Sequence, residues 1–239
     1  MAELTLVTSW DDGHPADRRL ADILVRHGIA GTFFVPAVNG EGRPVMTPGD
    51  LRALASAGFE IAAHTRDHRR LTGLEPAEVR EQIVDGRRRL EDVLGMPVTG
   101  FAYPGGHAGR HGRAAAVAAG FAYARGTEMF RLDHGPDQFM LATTMQFHPH
   151  GWPALTRNWL RCGGGLGRLD LACRLAGDLD RGLAGLLGIG RRRGGVFHLW
   201  SHSWEIDQLG LWPALDRACA ALAEAIPPGR RRTVQGSLA

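Results

Sequence analysis

The sequence predicts an α/β barrel of parallel strands, formed by a single domain over residues 1–239. Three observations carry that expectation. Short apolar runs alternate with amphipathic stretches along most of the chain, an order that puts helices outside a parallel sheet. Asp11, Asp12, His64 and the turn after Tyr103 each follow an apolar run, and the carboxyl ends of parallel strands are where such barrels carry their chemistry. A length of 239 residues suffices for one large domain with a substantial core.

In chain order, residues 4–10 read as a first strand, and Gly13 permits a sharp turn after it. Residues 15–25 read as a helix with Pro15 at its start and Gly28 past its end. Residues 31–36 give a second strand, Thr47-Pro48-Gly49-Asp50 opens a second helix, and Gly58 stops it. A third strand over 59–63 delivers His64. A long helix spans about 76–94, a fourth strand 100–103, and an alanine-rich helix 114–119. Residues 121–124, 140–147 and 196–201 read as later strands, with Met145 and Phe147 as barrel packing. The glycine-rich segment 163–165 and the stretch through Gly190 read as loops flanking helices.

The composition narrows the function classes. Apolar residues make up 44% of the chain and charged residues 22%, as in an ordinary globular protein. No lysine occurs among the 28 basic residues, and the net charge is only +3. The arginine triplets at 87–89, 191–193 and 230–232 lack the interleaved aromatics that stack bases, so they read as solvated surface, with steering of an anionic substrate by one of them as the alternative, and not as a nucleic-acid interface. Cys162, Cys173 and Cys219 show neither disulfide-framework nor zinc-knuckle spacing and read as reduced thiols. No apolar run reaches membrane-spanning length, and no secretory leader opens the sequence, so the expected location is cytoplasmic, with no membrane partner. Nothing in the chain points to an oligomeric state.

The chemistry is concentrated in two short stretches. Asp11 and Asp12 are adjacent carboxylates at a strand end. Their repulsion is offset if one holds a metal ion and the other is left to accept a proton. His64 and His68 are four apart, and on one face of a helical turn they would grip a single zinc-like ion together. One carboxylate, two imidazoles and positions open to water describe a hydrolytic site. Asp-Asp-Gly alone is commonly a solvated turn; joined to the two histidines it reads as a metal centre.

Together these pieces resemble the polysaccharide deacetylase family, carbohydrate esterase family 4. Thr8-Ser9-Trp10-Asp11-Asp12-Gly13 is similar to its first motif and His64-Thr65-Arg66-Asp67-His68 to its second. Phe101-Ala102-Tyr103-Pro104-Gly105-Gly106 is similar to the third, and the segment from Val196 to Ser203 to the last. The resemblance implies a distorted (β/α) barrel of the polysaccharide deacetylase type. It implies metal-dependent hydrolysis of non-peptide amide bonds, typically the N-acetyl of an amino sugar, so that the partner is a small-molecule or oligosaccharide substrate. Asp12, His64 and His68 would ligate one divalent metal, zinc first, with cobalt, nickel or manganese as alternatives. Asp11 would be the general base, and the backbone N–H of Tyr103, followed by Pro104, would face the oxyanion.

A histidine of the last motif would protonate the departing amine. His198 and His202 share a strand face with Trp200, so parity does not choose between them. His202 is preferred as nearer the strand's end, with Glu205 placed to favour its protonated form. Trp200 and Trp204 read as a sugar-stacking wall or equally as core, the strand face that Trp200 shares with both histidines favouring the pocket, and His14 reads as a loop residue or a rim contact. Two departures stand out. The arginine that pairs with the base aspartate in many relatives is replaced by Ala102, and the acid behind the catalytic histidine has no clear counterpart, Asp133 and Asp137 being the candidates. The alternatives are a hydrolase of a non-sugar amide, such as a ureide or cyclic imide, and a catalytically silent sugar-binding protein. A free carboxylate at Asp11 argues against the silent one.

Overall fold

The structure is a computed structural model that describes residues 3–239. Among the described residues eight strands form one sheet, all pairs parallel: β1 (Leu4–Asp11), β2 (Thr32–Val35), β3 (Glu60–Ala63), β4 (Gly100–Ala102), β5 (Tyr123–Arg125), β6 (Met145–Gln146), β7 (Gly195–His202) and β8 (Arg231–Arg232). Their spatial order is β5-β4-β3-β2-β1-β7-β6, with β8 beside the start of β1. The helices are α1 (Asp17–Arg26), α2 (Pro48–Ser56), α3 (Pro76–Leu94), α4 (Gly112–Ala118), α5 (Trp152–Arg161), α6 (Leu166–Arg174), α7 (Leu179–Arg193), α8 (Ser203–Gln208) and α9 (Trp212–Ala225). The strand-then-helix order follows the sequence pattern, and the sheet curls into a distorted, incompletely laddered barrel. None of the described helices is long and apolar enough to cross a membrane.

Local chemistry sets the boundaries. At α2 the Thr47 hydroxyl accepts from the Asp50 amide at 3.2 Å while Asp50 accepts from the Thr47 amide at 3.0 Å, a reciprocal cap with Pro48 behind it. Alternation along the strands then divides the interior. Leu6, Phe33, Ile61 and Phe101 pack under the helices. Val7, Phe34, Ala62, Ala102 and Tyr123 fill the barrel side. The second set sits in phase with Asp11, Arg125 and His202, so the period of two aims these polar side chains into the barrel mouth.

Two expectations are corrected. The strand expected over 140–147 is reduced to Met145–Gln146. Leu141 N–H donates to Ala124 at one sheet edge, whereas Thr144 N–H donates to His198 at the other. This segment therefore crosses the gap between β5 and β7 and cannot follow one ladder throughout. The glycine-rich stretch through Gly190, expected as loop, is largely α6 and α7. Glycine is kept inside α7 by close packing: a Cβ on Gly190 would lie 2.9 Å from Leu4 Cδ2.

Candidate metal and hydrolytic site

β1 is buried along nearly its whole length and ends at the mouth of a cavity of about 570 Å³. In register, Asp11 pairs with Phe34 of β2 and with His202 of β7, so Asp11 and His202 stand level at neighbouring strand ends. The chain then turns through Asp12 (φ 78°) and Gly13 (φ 60°). A Cβ on Gly13 would sit 2.6 Å from Val35 Cγ1, so only glycine fits beneath the turn. This bend swings Asp12 sideways from Asp11, giving adjacent carboxylates different surroundings.

Asp12 faces His64 and His68. Its Oδ1 lies 3.7 Å from His64 Nε2 and 3.0 Å from His68 Nε2, without hydrogen-bond geometry to either. His64 Nδ1 donates to the Ala102 carbonyl at 2.8 Å, which leaves its Nε2 as a bare acceptor turned toward the carboxylate. Burial, as the leading cause, lowers the His64 pKa to about 4, so that imidazole is neutral. A buried carboxylate oxygen facing the bare acceptor nitrogen of His64 is the polarity that a cation resolves. One ligand atom from each of the three residues falls within 4.8 Å of the others, a carboxylate–imidazole donor set that suits a divalent transition metal. Burial would raise the Asp12 pKa, but His68, His202 and His64 outweigh it and keep the carboxylate ionised. Asp12 Oδ2 accepts from Trp204 Nε1 at 2.8 Å, and Glu41 stands 3.3 Å from His68 Nδ1.

The picture of His64 and His68 on one helical turn is corrected. They lie on the non-helical segment after β3, with Thr65 and His68 in left-handed backbone (φ 69° and 61°). Their rings nevertheless approach to 5.0 Å between centroids. The loop, not a helix face, brings them together.

Asp11 is buried and makes a different set of contacts. The Arg125 guanidinium donates to both of its carboxylate oxygens. Arg125 is itself buried, its guanidinium 4.9 Å from the Phe34 ring centroid and 5.1 Å from that of Trp200. In the sheet it is the register partner of Ala102. The positive charge missing from the third motif thus enters from the next strand over. Sequence reasoning missed this residue. The legible signal was an arginine ending the run Tyr123-Ala124-Arg125, in phase with a barrel-facing tyrosine.

The last motif separates its two histidines. His202 opens into the cavity, and its Nδ1 lies 2.7 Å from Glu205 Oε2, which also accepts from Gln146 Nε2 at 3.1 Å. Burial would lower the His202 pKa, but Glu205, Asp12 and Asp11 outweigh it and raise it. His198 pairs in register with Val7, four residues deeper, or about 13 Å down the strand. Its Nε2 meets the Ser9 hydroxyl at 2.8 Å, and burial followed by Arg125 pushes its pKa well down. His198 is a neutral interior imidazole away from the cavity lining. Asp133 and Asp137 are engaged with Arg131 and Arg113 outside that lining, and Glu205 stands where an acid was sought behind the histidine.

Three further expectations meet the geometry as follows. Tyr103 N–H donates to the Arg125 carbonyl at 3.1 Å within the sheet, so it is not free to face an oxyanion, and Tyr103 and Pro104 are buried behind the cavity. Gly105 and Gly106 line it instead. Trp200 lines the cavity but is 6% exposed and lies against Arg125, so it is mainly a support, while Trp204 reaches the cavity beside His202. His14 Nδ1 accepts from the Ala16 amide at 3.1 Å, a turn contact outside the cavity lining.

Comparison with known proteins bears on the family and the fold. A sequence profile described as Polysaccharide deacetylase matches residues 2–124, just over half of the chain. A chitooligosaccharide deacetylase of Rhizobium leguminosarum bv. phaseoli is 33% identical over 102 residues, which is 42% of this chain and 42% of that protein. The matched stretch is thus less than half of the relative's length. The Xyl-CE4 domain of a multidomain xylanase from the hindgut metagenome of Trinervitermes trinervoides superposes with a TM-score of 0.61 at 14% identity, covering 100% of this chain and 90% of that one. A family 4 carbohydrate esterase from Streptomyces lividans, solved with acetate, gives a TM-score of 0.58 at 16% identity with 96% of each chain covered. The profile match through the first three motifs, on a barrel shared with these structures, shows that the chain belongs to the polysaccharide deacetylase family.

Proposed function

We propose that this protein is a metal-dependent amide hydrolase that removes the N-acetyl group of an amino sugar. The observation that carries the reading is the division of labour between two adjacent carboxylates: Asp12 facing two imidazoles, and Asp11 held off them by Arg125. A divalent metal bound by Asp12, His64 and His68 would act as a Lewis acid on the acyl carbonyl and lower the pKa of water beside it. Zinc is our assignment from the donor set.

The chain's own residues then account for the proton movements. Asp11, fixed by Arg125, accepts a proton from the water that attacks the acyl carbon. The carbonyl oxygen gains negative charge as the tetrahedral centre forms. Gly105 supplies the backbone donor: Pro104 has no N–H, Tyr103 N–H is engaged by Arg125, and Gly106 N–H donates to Tyr103 at 2.7 Å. His202, kept protonated by Glu205, gives its proton to the nitrogen as the C–N bond breaks. The products are acetate and the free amine.

The test is acetate release from N-acetylglucosamine oligomers by protein stripped of metal and then reloaded with zinc. Release that is absent after stripping and restored on loading supports the reading. Equal release by stripped protein, or none from any N-acetyl amino sugar after loading, overturns it.

A further inference from the structure

The cavity is unevenly charged. On one side Arg43 pairs with Glu41 and lies 4.0 Å from the Trp204 ring centroid, so its charge is already answered. Glu128, at another edge, is taken by Arg168 and lies near Arg131. The side formed by Arg70, Arg157 and Arg161 differs. All three line the cavity, and none pairs with a carboxylate among the described residues.

Arg70 and Arg161 flank the same turn, and Arg157 stands one helical turn before Arg161. Arg70 lies over the turn after β4, its Nε 3.4 Å from where a Gly105 Cβ would be. Arg161 donates to His107 Nε2 at 2.9 Å, two residues further along that turn. Because a guanidinium only donates, this bond fixes His107 as the neutral tautomer with its proton on Nδ1. Burial, then Arg161, then Arg70 lower the His107 pKa, in line with a cationic edge. Arg157 precedes Arg161 by four residues on α5, so the two like charges share a helix face and repel each other. Such an arrangement is compensated when an anion arrives, since guanidinium forks match the oxygens of phosphate and carboxylate.

We infer that the substrate is an N-acyl amino sugar bearing an oxyanion, a phosphate or a carboxylate, and that Arg70, Arg157 and Arg161 bind this group while the acyl group is presented to Asp11 and Asp12. This rests on the deacetylase reading above and names its substrate class.

The experiment measures zinc-loaded protein on N-acetylglucosamine, N-acetylglucosamine 6-phosphate and N-acetylmuramic acid. The inference expects kcat/KM for at least one anionic sugar to exceed the neutral one by about tenfold or more, through KM. The preferred anion identifies phosphate or carboxylate. R157Q/R161Q should bring the anionic-to-neutral ratio down toward about one, a loss of about tenfold or more, and added salt should reduce it in the wild type. R157K/R161K should restore part of it, while R191Q/R192Q, on α7, should leave it unchanged. A neutral sugar turned over as well as the anionic ones, with a ratio indifferent to R157Q/R161Q, overturns the inference and leaves the deacetylase reading standing. If no sugar releases acetate, the deacetylase reading fails, and calorimetry with the same sugars decides the rim. Preferential binding of an anionic sugar that R157Q/R161Q abolishes supports the anion site; equal binding overturns it.

Discussion

The two halves of the barrel differ in how they contribute to the site. The half from β1 through β4 supplies Asp12, His64 and His68 from the ends of β1 and β3, each in a short motif whose residues are close in sequence. The half from β5 onward supplies Arg125, Glu205 and His202, which act through partners over a hundred residues away or across a turn. The first half presents the candidate metal donors. The second half sets protonation and orientation. The contrast teaches that the candidate metal donors stay with local loops, while the guanidinium that holds the neighbouring carboxylate can come from another strand if it ends at the same place.

The largest effects should come from the first half. Replacing His64 or His68 by alanine should reduce metal content to background in elemental analysis and abolish turnover. Normal stoichiometry in both variants would break the comparison outright. Next, Asp11→Asn should keep the metal but lower kcat by about 10²–10⁴-fold, the usual worth of a positioned base. Loss of metal in that variant would mean that both carboxylates ligate.

Arg125→Met sharpens the comparison in the second half. It leaves Asp11 buried without its partner, at a stability cost of about 3–5 kcal/mol by denaturant unfolding. Arg125→Lys keeps the charge but loses the fork, and should lower kcat by roughly 10- to 100-fold with metal content unchanged. Wild-type kcat in a folded Arg125→Lys protein would show that the fork has no part in orienting the base.

A smaller effect separates the histidine from its carboxylate. His202 has a raised pKa in the folded protein, so the acid is present at lower pH and lost as pH rises through that value. Removing the negative charge in Glu205→Gln should lower the His202 pKa and move the basic limb of the pH–rate profile to lower pH. A limb that stays in place would assign it to another group. The smallest effect belongs to His14→Ala, where only a turn contact is lost. Its kcat should stay within about twofold of wild type, and a larger fall would put His14 at the substrate.

The sequence was most readable where chemistry and chain coincide. Asp11, Asp12 and His64 were legible because they lie at or just past strand ends that periodicity reveals, and His68 follows on the adjoining loop. Arg125 stayed hidden because its meaning depends on Ala102 being its register partner, a fact about pairing between strands. Parity could not split His198 from His202, since alternation reports the face and not the depth. The register with Val7 and Asp11 splits them. The stretch over 140–147 was misread because its apolar side chains are equally compatible with one ladder or with a crossing between two, and only the hydrogen bonds tell them apart.

The left-handed backbone at Asp12, Thr65 and His68 has a consequence for the lifetime of the protein. Each such non-glycine residue costs on the order of 1–3 kcal/mol unless its surroundings hold it. A metal drawn to Asp12, His64 and His68 returns part of that cost, so occupancy and resistance to unfolding rise together. Chains made when metal is scarce would open more often and reach proteases sooner than loaded ones. Metal supply would then regulate how much of the protein survives, as well as how much of it works.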